Sequence, residues 1–407
     1  MKTTELPRWA SGFVLPVLNL LSALLVAALV IHLLGESPVE SLQILVNSAV
    51  INPEGLSYTL YYASTFVFTG LAVSIAMKAG LFNIGAEGQM YLGGLGLTLA
   101  MLAFDASLSG WLLIPLAIVA SALFGAGWAF IPGYLQAKRG SHVVVTTIMF
   151  NFIAAGLMNF IIVKYMIPEG DQNPASRVFA DAAAIPQLST WLPVLGENTP
   201  LNLAFILALV ALGVYWVAVS RSSWGYQLQA TGLNAHAAHY AGVRISRTII
   251  VAMLISGGLA GLAAVNSILG STHYLSLNFP AGAGFIGIAI ALMGRQHPVG
   301  ILLSSVLFGA LIQGGFDLSL EKPNIPQETF IFIQGLIILF CGAMENMYAP
   351  AILKLINAGR GAGSSARNSA GNSAAHSAGN SASTSNNAST STSTSATDSA
   401  SNSASKV

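Results

Sequence analysis

Residues 80–94, GLFNIGAEGQMYLGG, place a carboxylate, two amides and five glycines between two apolar runs. Glu87, Asn83 and Gln89 are the polar groups. A carboxylate at membrane depth costs about 3 kcal/mol even on lenient insertion scales. Glycines this dense interrupt a helix and let backbone or ligand approach closely. Two readings stay open: the polar groups serve a solute path, or Glu87 lies wet at a helix end near Lys78 while the glycines let helices pack tightly. Other candidate chemistry is sparse. His236 and His239 are three apart with no carboxylate or Cys beside them, so no metal site is expected. The single Cys341 excludes a disulfide framework and a Cys-based metal site. No G-x-x-x-x-G-K-[ST] loop occurs, so the chain does not hydrolyse nucleotide by that route. No Ser-His-Asp set or carboxylate pair stands out, which leaves no catalytic residue and argues against an integral membrane enzyme.

The elements that must hold these residues are membrane helices. The chain of 407 residues is 54% hydrophobic and 8% charged, against roughly 25% charged in a soluble domain. Its net charge of +1 makes nucleic acid an unfavoured partner. Apolar runs fall at 12–34, 56–77, 89–104, 111–135, 143–167, 201–219, 249–269, 282–293, 299–316 and 329–344. At about 20 residues per span, they predict an all-α, polytopic transmembrane helical bundle with nine or ten crossings. The run at 282–293 is short and Gly-rich, so a broken or half helix is expected near 280–294. The first run is too long for a signal-peptide core and reads as a retained span. With ten crossings and the N-terminus inside, only Lys164, Arg177 and Lys322 of the 16 Lys and Arg fall outside. That bias places both termini in the cytoplasm.

Two loops are long. Residues 168–200 form an outer loop rich in Pro and Asp, either a cap that meets an outside partner or a connector. Residues 221–247 lie inside, with Asn234 a candidate N-cap, a short Ala-rich helix over 235–240 and Gly242 able to end it. Such a helix suits partner docking, or only shields span ends. The expected organisation is a cytoplasmic N-terminus (1–11), a transmembrane domain (12–350) containing that loop, and a tail (358–407). The tail is rich in Ser, Asn and Ala and cannot bury a core, so it is expected to be disordered.

Phe82 to Gln89, FNIGAEGQ, closely resembles a signature of membrane permeases in bacterial ATP-binding-cassette importers, in the branch for simple sugars, nucleosides and branched-chain amino acids. Three later segments continue the resemblance in order. TTIMFN at 146–151 is similar to a V-x-T-I-M-x-N element, GLNAHAAHYAG at 232–242 to the coupling loop, and PAGAGFIGIAIALMGRQHP at 280–298 to a G-F-x-G-I-A-V-A-L-L-G-x-x-x-P element. Ala86 with Gln89 looks most like the larger permease of nucleoside importers. One position departs: His142 stands where such permeases usually carry Glu, which leaves any gating or contact role of that Glu open here.

The resemblance implies a pair of permeases, with a second permease as heterodimer partner, around a central path in the bacterial cytoplasmic membrane. Two cytoplasmic ATPases use the ATP, this chain carries no cofactor, and an extracytoplasmic binding protein or lipoprotein docks outside. Nucleotide-driven closure would push on Gly232, Asn234, Ala237, Ala238, Tyr240 and Gly242 and shift the populations of the two facing states. A nucleoside offers a flat base and sugar hydroxyls. Phe82 and Phe285 suit the base, and Asn83, Glu87, Gln89 and Asn151 suit the hydroxyls. A simple-sugar importer is the near alternative. An ion-coupled transporter working alone is the far one, though few ionisable residues lie in the spans.

Overall fold

The computed structural model describes residues 15–337, apart from 181–183, 197–198 and 327, together with Leu339 and Leu353. The chain divides into two units, 9–347 and a second made of 1–8 with 348–407. The expected N-terminal segment and tail lie outside the described residues, as does Cys341.

The described part of the first unit is helical. Among the described residues the only bridges between extended segments are two isolated ones, Ala175 with Ser276 and Gln187 with Asn202. The helices are α1 (Leu15–Leu33), α2 (Pro38–Val46), α3 (Pro53–Lys78), α4 (Ala86–Phe104), α5 (Gly110–Tyr134), α6 (Val143–Ile161), α7 (Ala204–Ser220), α8 (Ser223–Leu233), α9 (Ala235–Tyr240), α10 (Ile245–Ser267), α11 (Ala283–Met293) and α12 (Pro298–Glu321). A further apolar helix, α13, covers Glu328–Ile337. Their starts follow local chemistry. The Asn52 side chain accepts from the Glu54 N–H with Pro53 opening α3, and the Ser222 hydroxyl accepts from the Gly225 N–H at α8.

Among the described residues, five helices or their continuations are long and apolar enough to span a membrane, or up to seven spans if each of two bent pairs counts as one. The bends fall between α1 and α2, at 119°, and between α7 and α8, at 71°. Gly35, at φ +87°, lies in the first break. α4 has 19 residues but is not among the five; Glu87 and Gln89 in its first turn and its glycines lower its hydropathy. α11 has 11 residues, as the short run at 282–293 predicts, about half of what a bilayer core needs.

Burial orders the bundle. In α3, 78% of the apolar stretch is buried, against 28% in α5 and in α6, so α3 is an inner helix. α6 instead exposes Phe152, Phe160 and Val145, as a lipid-facing helix does. α4, α5 and α10 meet almost backbone to backbone. A Cβ at Gly93 would lie 2.3 Å from Gly261 Cα, and one at Gly257 2.4 Å from the Gly125 carbonyl oxygen. The G-x-x-x-G pair Gly257 and Gly261 therefore serves close packing.

Candidate functional site

The turn between α3 and α4 is built around Asn83, which is fully buried. Its Nδ2 donates to Gln89 Oε1 at 3.0 Å and to Ser256 Oγ on α10 at 2.8 Å. Its Oδ1 accepts from the Gly85 N–H at 2.8 Å and from Gln89 Nε2 at 3.2 Å. The Ser256 hydroxyl donates in turn to the Ala72 carbonyl at 2.6 Å. α4 begins at Gly85, which has no side chain to cap it. Asn151 on α6 supplies the cap from outside. Its Oδ1 accepts from the Gly88 N–H, and its Nδ2 donates to the Ile84 carbonyl, both at 2.9 Å. These bonds satisfy helix-end groups that no water reaches. Gly88 gives this contact its room, because a Cβ there would sit 2.8 Å from Asn151 Oδ1 and 3.0 Å from Asn151 Cα.

Glu87 is buried, at 7% exposure, and is not the wet helix-end residue of the second reading. Its two carboxylate oxygens accept from the N–H groups of Gly282 and Gly284, at 2.9 and 2.8 Å. Glu87 thus caps the half-helix α11. The positive end of the helix dipole and two charge-assisted hydrogen bonds offset much of the cost of burying a carboxylate. A Cβ at Gly284 would lie 2.3 Å from the Glu87 nitrogen, so the contact needs glycine. Among the described residues, the non-glycine residues at positive φ are His273, Asn278, Ala281, Arg295 and Gln296. Four of these five flank α11 directly, two before it and two after. Left-handed backbone is unfavourable for Ala281, Arg295 and Gln296, though not for Asn278, so the half-helix is held between two strained joints.

Glu87, Tyr91 and Gly94 lie on one face of α4, at helical spacing. All three act on the segment that enters α11. Glu87 holds its glycines. Tyr91 donates to Asn278 Oδ1 at 2.8 Å and meets the Phe279 ring edge-to-face at 5.7 Å. Gly94 makes room for that ring, since a Cβ there would lie 2.5 Å from Phe279 Cζ. Phe279 in turn walls a cavity of about 310 Å³ with Tyr61, Tyr62, Phe66, Phe316 and Phe330. Thr65, Ser267 and Gln334 give it polar points. The volume is at the small end for a ligand pocket. None of the six residues expected to line a path is in this wall. Asn83, Gln89, Asn151 and Glu87 direct their polar atoms to protein partners behind it. Phe82 is half-buried, and Phe285 is 46% exposed on α11. The aromatic wall comes from distant segments, and no local motif marks it.

The loop of α8 and α9 meets the α3–α4 turn. Asn234 caps α9, its Oδ1 accepting from the Ala237 N–H at 3.0 Å. Gly242, at φ +85°, follows it, and its N–H donates to the His239 carbonyl at 2.9 Å. Ala238 is buried, whereas Ala237 is exposed and Tyr240 and Leu233 are about nine-tenths exposed. Gly232 presses on the α3–α4 turn: a Cβ on it would lie 2.3 Å from the Lys78 carbonyl oxygen and 2.8 Å from the Gly80 nitrogen. Gly80, at φ +75°, faces it in return. His142 is exposed at the start of α6. No group of three metal-ligating side chains occurs among the described residues.

The loop at 168–200 is laid over the α10–α11 connection. Ser176 and Phe179 donate from their backbones to the Leu275 and His273 carbonyls, at 2.8 and 2.9 Å. Arg177 grips Asp105, at the end of α4, with two bonds of 2.7 and 2.9 Å. That hydrogen-bonded guanidinium holds the Asp105 carboxyl below its ordinary range.

An inner helix, a capped half-helix and a short exposed helix between spans define a multi-pass helical membrane protein. The chain belongs to the family described as branched-chain amino acid transport system / permease component, which matches residues 55–342. It is 33% identical to the guanosine ABC transporter permease protein NupP of Bacillus subtilis, over 81% of this chain and 93% of that one. It is 31% identical to the nucleoside ABC transporter permease protein NupB of Lactococcus lactis, over 80% and 89%. It is 32% identical to the glucose ABC transporter permease protein TsgB13 of Haloferax volcanii, over 82% and 88%.

Proposed function

We propose that this chain is the permease subunit of an ATP-driven importer and forms the membrane path for a nucleoside. The observation that carries the substrate class is the aromatic cavity at the mouth of α11, together with relatives that carry guanosine and nucleosides by name. Aromatic faces stack on a base, and Thr65, Ser267 and Gln334 can meet sugar hydroxyls or base edges. Phe82, Asn83, Glu87, Gln89, Asn151 and Phe285 form the frame of the path behind that cavity. A glucose permease among the relatives favours a simple sugar as the second reading.

The bundle sits in the bacterial cytoplasmic membrane with both termini inside. In the arrangement of nine or ten crossings, α4, α11 and the segment from Glu328 join the clearer spans. A second permease completes the path, probing from outside is done by a substrate-binding protein, and ATP is bound by cytoplasmic ATPases that dock on α9. Leu233, Ala237 and Tyr240 offer them an exposed apolar face. A push on α9 passes through Gly232 to the turn at Lys78–Gly80. Asn83 passes it to α10 through Ser256, and Glu87 passes it to α11. The strained joints of α11 make that half-helix the element most ready to change position.

Uptake of labelled guanosine, cytidine and glucose is measured in a strain lacking the chain, complemented by wild type or by Phe279→Ala. Nucleoside uptake that needs ATP and falls at least about fivefold in the variant is expected, from stacking worth about 1–3 kcal/mol per base. Glucose uptake alone would establish the sugar reading. Uptake without the ATPase would overturn the importer reading.

A further inference from the structure

Two cavities of about 410 Å³ each meet at the start of α10 and share Gly242, Arg244 and Arg247. Lys138 and His239 border one, and Trp224 and Gln227 the other. No Asp or Glu lines either. Lys138, Arg244 and Arg247 form no salt bridge among the described residues, although Arg177 and Lys322 do. Nε1 of Trp224 is buried and has no acceptor. The same cavities hold the first turn of α10, whose leading N–H groups point out of the helix. Three cations and a helix N-terminus are collected here without a counter-charge, beside the ring of Trp224. All three cationic side chains are exposed, and they line a concave surface.

We infer that Lys138, Arg244 and Arg247 bind a phosphate group, that of an anionic phospholipid headgroup. The lipid source follows from the walls. Val251, inside the apolar stretch of α10, and Trp224 border one cavity, so the site runs from charge to apolar side chains of a candidate span. An indole at the membrane boundary and basic residues beside it are the usual partners of a lipid headgroup. A free phosphate compound shares the headgroup chemistry but has no use for the apolar side. The headgroup would tie α5, through Lys138, to the loop that carries α9. The inference does not depend on which solute the path carries.

The test uses the full chain in nanodiscs of phosphatidylcholine with and without phosphatidylglycerol, with retained lipid counted by native mass spectrometry. Wild type is expected to retain phosphatidylglycerol over phosphatidylcholine. Removing a cation should weaken retention by about fivefold each, so Arg244→Gln with Arg247→Gln should abolish the preference. Arg221→Gln, whose guanidinium lies over Trp216 outside both cavities, should leave it intact. Thermal unfolding in pure phosphatidylcholine checks that the variants fold, and Lys138→Gln replaces the double variant if it does not. Undiminished preference in the folded variants would overturn the inference. Displacement of the lipid by inorganic phosphate alone would reassign the site to a free phosphate compound and overturn the lipid source. Loss of ATPase co-purification with lipid retention unchanged would show that the cations face an acidic partner, and would also overturn it.

Discussion

Gly232→Ala tests the proposed route from the docking loop to the path. The new Cβ would sit 2.3 Å from the Lys78 carbonyl oxygen, 2.8 Å from the Gly80 nitrogen and 3.1 Å from the Ala79 carbonyl carbon. A tolerable C···O approach is about 3.3 Å, so the two backbones must part by about 1 Å. Neither is a side chain that can rotate away. Overpacking of this kind costs about 1–3 kcal/mol, a factor of about five to 150 in the population of the coupled arrangement. In proteoliposomes of the assembled importer, nucleoside uptake should fall at least about fivefold while the ATPase still binds and hydrolyses ATP. Gly213→Ala, with no atom within 4 Å of the added Cβ, is the control and should transport normally. Wild-type uptake by Gly232→Ala would refute the reasoning, because a contact that can open by 1 Å without consequence transmits nothing.

Glu87→Gln leaves one acceptor for the two N–H groups of Gly282 and Gly284 and sets an amide donor against the other. It should cost about 2 kcal/mol, read as a lower thermal midpoint of the purified chain. Ala281→Gly relieves a residue at φ +47° and should raise that midpoint by the equivalent of about 1 kcal/mol. Ala237→Glu, on an exposed position, should keep the fold and lose ATPase co-purification, whereas Ala238→Glu buries a charge and should destabilise the loop itself. Asp105 has a folded-state pKa below its ordinary 3.8, held there first by its bonds to Arg177. Its contribution is therefore complete above the ordinary value and is lost as pH falls through the lower folded value. The protection of the Ala180 N–H, which donates to Asp105 at 3.3 Å, measured against the intrinsic exchange rate at each pH, should be high at neutral pH and fall as pH drops below the ordinary carboxylate value. In Arg177→Gln it should be low throughout.

The spans were legible because a lipid-crossing helix needs a long apolar run, and such runs can be read one stretch at a time. So was the shortness of α11, from 282–293, and the cap of α9 by Asn234. The number of spans was less so. A break of a few residues at Gly35 or at Arg221 and Ser222 sets a second helix, beyond the apolar run, at a steep angle to the first, and the run at 329–344 extends past the described residues. The role of Glu87 was not visible because its partners, Gly282 and Gly284, are 195 and 197 residues away. The sequence showed a carboxylate whose nearest cation along the chain is Lys78. It did not show that the counter-charge is the backbone end of another helix. The contact of Gly232 with Lys78 and Gly80, and the ring wall of the cavity, are likewise meetings of distant segments with no periodicity of their own.

The glycine contacts among α4, α5 and α10 also bear on redesign. At Gly93, Gly125, Gly257 and Gly261 even a methyl group collides with neighbouring backbone, so this seam accepts almost no substitution. The cavity wall is made of side chains, and Tyr61, Phe279, Phe316 and Gln334 come from separate helices or their entry segments. Their size and polarity can be exchanged without touching the seam. A library aimed at new cargo belongs on those positions, with the glycines left fixed.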